Sequence, residues 1–202
     1  MTHVMIVALR ATLVTMVLTG LVYPLVITGL AQLLFGDRAD GSLVEDERGN
    51  VVGSALIGQR FTHPGYLQGR PSAAGKDGYD ATSSSGSNLG PTSAALRERI
   101  DGDIARLLAE NPNASGPVPA ELVTASGSGL EPHLSPAAAT WQAPRIAAAR
   151  GVAVERVRAV IESAVEGREL GVLGQPRVNV LLVNLSLDRT FGRPRAAAVA
   201  AR

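Results

Sequence analysis

The sequence predicts a single N-terminal transmembrane helix followed by one α+β soluble domain. Three observations carry that expectation. Hydrophobic residues make up 46% of the 202 and charged residues only 18%, where about a quarter are charged in a soluble domain. The apolar excess is concentrated in the first 35 residues. Beyond them the pattern reads as a hairpin, then helices, then a late strand, an order that favours α+β architecture.

Leu13 to Leu34 is a run of 22 residues without a charged side chain. At about 1.5 Å per residue it reaches roughly 33 Å, enough for a hydrocarbon core of ~30 Å. Its twelve Leu, Val or Ile residues supply about −4 to −7 kcal/mol for insertion, which outweighs the cost of Gln32 and Pro24. A signal peptide has an apolar region of only ~7–15 residues, although Gly29-Leu30-Ala31 matches a small-x-small cleavage pattern. The predicted organisation is a short segment 1–12, a spanning helix 13–35, a domain 36–188 and a loose Arg/Ala-rich tail 189–202. Arg10 flanks one side and Arg38 and Arg48 the other, so the distribution of positive charge does not fix the orientation. Thr12, Thr15, Thr19 and Tyr23 fall on one stripe at 100° per residue, a pattern suited to docking on a partner's transmembrane helix. The same hydroxyls can instead bond their own backbone.

Net charge is +1, and it is unevenly placed. Residues 37–188 hold 14 basic and 18 acidic side chains, and aromatics make up 3% of the chain. A mildly acidic, aromatic-poor domain lacks the phosphate-neutralising surface and stacking platform that nucleic acids require. The chain has no cysteine, which excludes disulfides, thiolate metal sites and thiol nucleophiles together.

Within the domain, Ser42–Val44 and Val51–Ile57 flank a turn-rich Glu47-Arg48-Gly49-Asn50 and predict a hairpin. Pro64 to Ser93 follows, 30 residues of which 15 are Gly, Pro or Ser. So long a connection without regular structure is either functional or disordered. Its length, with Tyr66 and Tyr79, suggests a docking surface. Thr92 or Ser93 caps a helix carrying Leu96, Ile100, Ile104, Leu107 and Leu108, ended by Asn111-Pro112. A second helix runs from Ser135-Pro136 to Gly151. A third presents Val154, Val157, Val160, Ile161 and Val165 and stops at Gly167. Val178–Leu187, rich in Val and Leu, reads as a buried strand with Asn179 and Asn184 on opposite faces.

Chemistry-bearing motifs are near misses. Gly69 to Asp77 resembles a phosphate loop but has five residues between its glycines and Asp77 where a metal-binding hydroxyl belongs. Ser126-Gly127-Ser128-Gly129 resembles a nucleophile elbow but has serine where the first glycine is required. His3, His63 and His133 are too scattered for a zinc site, so no metal is expected. Asp77 and Asp80 lack calcium-loop spacing.

The ordered strings are more specific. Val52 to Gln59, Phe61, Tyr66, Gly69-Arg70-Pro71-Ser72, and Ser85-Gly86-Ser87-Asn88-Leu89-Gly90-Pro91 come first. Leu122 to Leu130, Pro132-His133, Trp141-Gln142, Arg145-Ile146-Ala147, Ala149-Arg150-Gly151 and Gly174 to Val180 with Asn184-Leu185 follow. In this order, behind one apolar helix, they resemble the C subunit of the bacterial Kdp-type high-affinity potassium-transporting ATPase, over about residues 5–188. The resemblance implies a single-pass cell-membrane protein with a cytoplasmic N-terminus and an extracytoplasmic domain. Its implied partners are a channel-like potassium-translocating subunit and an ATP-hydrolysing P-type subunit. It implies no catalytic residue of its own and no firmly bound cofactor, with ATP reached through the complex. The implied role is that of a catalytic chaperone that raises the ATP affinity of the hydrolytic subunit. Ser85, Gly86, Ser87 and Asn88 match a family segment likened to the L-S-G-G-Q nucleotide signature, with Ser87 and Asn88 departing from its second glycine and glutamine. An extracytoplasmic domain meets little ATP, which favours stabilisation of the assembly and coupling at a distance. Two other readings stay open: an anchored hydrolase using Ser126 or Ser128 with His133, and a nucleotide-binding module built on residues 69–88.

Overall fold

The computed structural model describes residues 1–194, so most of the expected tail lies outside the described residues. Two compact units divide the chain, Met1–Val44 and the remainder from Glu45.

The first unit is dominated by a helical stretch, Thr2–Ala39, of 38 residues with mean hydropathy 2.0 in its most apolar window. It comprises α1 (Thr2–Val17), a π-helical turn (Leu18–Val22) and α2 (Tyr23–Ala39). Helix thus begins at Thr2 and includes the segment 1–12, because Val4–Leu9 are as apolar as the run that follows. At the other end, Phe35 (φ −142°, ψ 43°) leaves helical geometry, one residue after the predicted uncharged run. The π turn has a local cause. Pro24 has no N–H to give the Gly20 carbonyl four residues back, and the backbone widens there so that the Tyr23 N–H bonds Leu18 O.

β1 (Leu43–Glu45), which spans the boundary between the two units in sequence, and β2 (Val51–Ser54) are the arms of the predicted hairpin. The Asp46 carboxylate closes the turn by accepting from the N–H groups of Arg48 and Asn50 at 2.9 and 3.0 Å. These bonds hold its pKa below the usual carboxylate value. α3 (Ala94–Glu110) starts at Ser93, whose Oγ accepts from Leu96 N, and ends at Asn111, as capping rules predict.

Three expectations are corrected. The segment 135–151 is two helices, α4 (Pro136–Trp141) and α5 (Ala143–Arg150), joined at Gln142. Pro144 removes a ladder donor at the junction. α6 (Val154–Ser163) stops before Val165, which begins β4 (Val165–Glu166). The apolar run 178–187 is strand only as far as Asn179. After β3 (His133–Leu134), β5 (Arg177–Asn179) leads straight into α7 (Val180–Phe191). Asn179 is the N-cap of α7, its Oδ1 accepting from Leu182 N at 3.2 Å, so Asn179 and Asn184 do not share a strand.

The three short strands form an antiparallel sheet in the order β3-β5-β4, with Leu134 and Val165 both opposite Val178. α4 to α7 enclose a core in which Leu134, Ile146, Val157, Ile161, Val178, Val183 and Leu187 are at most 1% exposed. Each such burial contributes about 1.5–3 kcal/mol. Ala138, Ala139, Ala143 and Ala147 are buried too, small enough to let the helices approach closely.

Candidate functional site

Residues 55–93 contain no helix or strand, yet their backbone is held by side chains from the rest of the domain. A buried backbone amide needs a partner, and here side-chain amides supply it. Asn184, 2% exposed on α7, accepts from the Leu67 N–H at 2.7 Å and donates to the Leu67 carbonyl at 2.9 Å. Gln142 does the same for the next residue, accepting from Gln68 N–H at 3.0 Å and donating to its carbonyl at 2.9 Å. Each amide imitates one rung of a β ladder.

Two arginines of α5 extend this clasp. Arg145, 5% exposed, donates to the carbonyls of Pro64 and Tyr66 at 2.6 and 3.2 Å and to Gln142 Oε1 at 2.7 Å. Burial lowers its pKa to about 10, so it remains charged at neutral pH. Arg150 donates to Gly65 O at 2.7 Å, to Gly192 O at 2.6 Å and to Asp188 Oδ1 at 2.8 Å. Asp188 also accepts from the Tyr66 hydroxyl at 2.8 Å, and the Arg150 guanidinium lies 5.2 Å from the Tyr66 ring centre. Burial and the neighbouring carboxylate raise the Tyr66 pKa.

Further along, Arg70 donates to the Thr124 and Ala125 carbonyls, and the Tyr79 hydroxyl donates to Arg70 O. The phosphate-loop look-alike folds back on itself: Ser72 Oγ donates to Gly129 O and accepts from Ala74 and Tyr79 N–H groups. Gly129, at φ +69°, lies where the strands of coil cross; a Cβ there would meet Ser85 O at 2.5 Å and Ala74 N at 2.7 Å. Ser85 N–H donates to Ser128 O at 2.9 Å, as does the Ser84 hydroxyl. The expected nucleotide segment Ser85-Gly86-Ser87-Asn88 is therefore laid along the 126–129 turn. Its first three residues are half-buried and Asn88 is exposed at φ 53°.

The structure separates the groups of the hydrolase reading. Gly129 N–H donates to Ser126 Oγ and Leu130 N–H to Ser128 Oγ, while His133 Nδ1 bonds Glu131 Oε1 at 2.8 Å. Among the described residues neither serine hydroxyl meets an imidazole, and no three His, Asp or Glu gather as a metal site. In the apolar helix, Thr15 and Thr19 donate their hydroxyls to carbonyls of Ala11 and Thr15 at 2.8 and 2.7 Å; Tyr23 is exposed. Tyr66 and Tyr79 are half-buried with their hydroxyls bonded inside the domain. Sequence reasoning missed Gln142, Asn184, Arg145 and Arg150 as the clasp, although all four lie in the strings that carry the family resemblance. Polar residues inside otherwise apolar helical runs were the signal that could have found them.

A groove of about 450 Å³ runs beside the clasp, with Arg60, Arg70, Tyr79, Asp103, Arg106 and Glu110 on its walls. Arg106 is paired to Asp103 and Glu110 at 3.0 and 3.2 Å. Its mixed, internally paired charges differ from the run of free backbone N–H groups that holds a phosphate.

One apolar helix of membrane-spanning length followed by an α+β domain is the architecture of a membrane-anchored protein. The family model "K+-transporting ATPase, c chain" (KdpC) matches residues 5–189. A Potassium-transporting ATPase KdpC subunit of Myxococcus xanthus is 68% identical over 185 residues, covering 92% of this chain and 87% of the relative. One from Caulobacter vibrioides (strain NA1000 / CB15N) is 54% identical over 187 residues, covering 91% and 93%. One from Methylobacterium nodulans is 54% identical over 200 residues, covering 92% and 98%. The chain belongs to the KdpC family, subunits of the potassium-transporting ATPase.

Proposed function

We propose that this chain is a non-catalytic accessory subunit of an ATP-driven high-affinity potassium uptake complex. Its helix holds the domain at the membrane, with the N-terminus cytoplasmic and the domain outside. There the domain stabilises the assembly with the channel-like and ATP-hydrolysing subunits. The observation that carries this reading is the clasp. Four buried polar side chains fix the backbone of residues 64–68, which lead into an irregular, partly exposed stretch. A fixed surface of this kind loses little conformational freedom on association.

The chain raises the ATP affinity of the hydrolytic subunit as a catalytic chaperone, through a coupling free energy between separate sites and not by cradling nucleotide itself. A coupling of 1–3 kcal/mol corresponds to about 5–150-fold in affinity. Supporting this, the Ser85 N–H and the Ser84 hydroxyl both engage the Ser128 carbonyl of the 126–129 turn. The test is to titrate ATP on the complex with and without this chain, and on the chain alone by calorimetry. The expected result is tighter binding by the whole complex and no heat from the chain alone. Saturable binding to the isolated chain that Ser85→Ala with Asn88→Ala abolishes would restore the direct nucleotide role.

A further inference from the structure

We propose that the tip of the β4–β5 hairpin, carrying Leu170, Val172 and Leu173, seats in an apolar pocket on a companion protein subunit. The proposal rests on the accessory-subunit reading and says which surface makes the contact. The three side chains are 89%, 72% and 57% exposed. Scattered surface leucines need no explanation, but a cluster at a protrusion marks an interaction site.

The backbone of the tip adds a second observation. Val172 N–H donates to Glu169 O at 3.2 Å, enclosing Leu170 (φ 52°) and Gly171 (φ 76°). Positive φ at both central positions is the requirement of a type I′ turn, which favours Asn, Asp or Gly first. Leucine there costs backbone energy, and with its side chain in solvent, folding gains nothing in return. Strain at an exposed apolar residue points to function. The tip is also rigid. Glu169 and Leu173 exchange backbone hydrogen bonds at 3.0 and 2.9 Å, and Arg168 bonds Gln175 at 2.9 Å.

The charges around the tip select the occupant. Two arginines and two glutamates cancel there, and Arg177 is paired to Glu166 at 2.9 Å. With Arg168 bonded to Gln175, Arg177 paired to Glu166 and the Glu169 carboxylate next to the apolar tip, the tip does not suit phosphate headgroups, whereas a protein pocket with an apolar floor and a mixed-sign rim does. Three side chains also cover far less than the ~800 Å² per partner of a stable interface. The tip is therefore one anchor of a larger contact, as in a multi-subunit assembly, and insufficient for pairing with a second copy by itself.

Leu170→Asn supplies the residue the turn prefers and removes the apolar anchor. The full-length variant is expected to melt at or above the wild-type temperature, yet to associate with the other subunits at least about tenfold more weakly. Association equal to wild type overturns the proposal. A wild-type chain that fails to co-purify with those subunits overturns the accessory reading and the proposal together. Because the chain has no cysteine, Leu170→Cys also accepts a single environment-sensitive fluorophore. Its emission is expected to shift blue on adding the other subunits, and not in liposomes holding this chain alone. A shift in those liposomes assigns the tip to lipid and overturns the proposal. A shift that grows with the concentration of this chain alone assigns it to a second copy, and no shift anywhere leaves it no partner; both overturn it as well.

Discussion

Replacing Asn184 by leucine tests the clasp most directly. The two side chains have the same number of heavy atoms and the same branching, so no cavity opens, but the Leu67 N–H and carbonyl both lose their partner inside the core. Leu67 is 0% exposed and Asn184 2%, so water does not reach either group. Each orphaned backbone group costs about 1–3 kcal/mol, and the pair together about 2–6 kcal/mol. Even the lower figure changes the folded-to-unfolded ratio by about 30-fold, a large fraction of a domain's stability. The assay is urea unfolding of the full chain in detergent, followed by fluorescence of Trp141, the single tryptophan. Its side chain is buried and its carbonyl accepts from Asn111 at 2.7 Å, so its emission reports the core. A fall in midpoint with unchanged slope is expected. A loss below about 1 kcal/mol would refute the reasoning, because it would mean that the 64–68 segment finds other partners at no cost.

Gly129→Ala is expected to lose about 1–2 kcal/mol from handedness alone, with more from the Ser85 and Ala74 backbone atoms its Cβ would strike; hydrogen exchange at Ser85 should accelerate. The Tyr66 hydroxyl keeps its proton in the fold above the pH at which the unfolded chain loses it. Its contribution is thus whole below about pH 10 and fades as pH rises further. Wild-type stability should therefore fall more steeply above pH 10 than that of Tyr66→Phe. Arg145, lowered to about 10, acts in the opposite direction in both proteins, so the difference between their urea midpoints isolates Tyr66. Arg150→Met leaves Asp188 the Tyr66 hydroxyl as partner but removes the donor to Gly65 and Gly192, and should cost about 1–3 kcal/mol. Arg150→Lys should cost less, since it keeps the charge but cannot reach Gly65, Gly192 and Asp188 together; thermal melts give the order.

Elements with strong local signals were legible in the sequence. The apolar helix, the Asp46 turn and α3 with its Ser93 cap and Asn111 stop all follow from residues within one or two turns of where they act. The late apolar run is ambiguous because Val180, Leu181, Val183 and Leu187 satisfy a strand by composition and a helix by spacing. The tertiary role of Asn184, facing Leu67, decides between them in favour of helix. The clasp residues could be suspected from their polarity, but their partners could not be read. Asn184 and Leu67 are 117 residues apart, and Arg150 lies 85 from Gly65, so nothing local announces that these amides and guanidiniums complete one another. The 64–93 segment looks loose by composition because its partners lie elsewhere in the chain.

That dependence ties the surface of this subunit to its maturity. Segment 64–68 acquires its shape only after α5 and α7, encoded near the far end of the chain, have closed over it. A half-made or truncated copy has no ordered segment to show a neighbour. Assembly through this face would then admit finished molecules and pass over unfinished ones without any dedicated inspector. The Leu67 amide would accordingly exchange with solvent only when the whole domain opens.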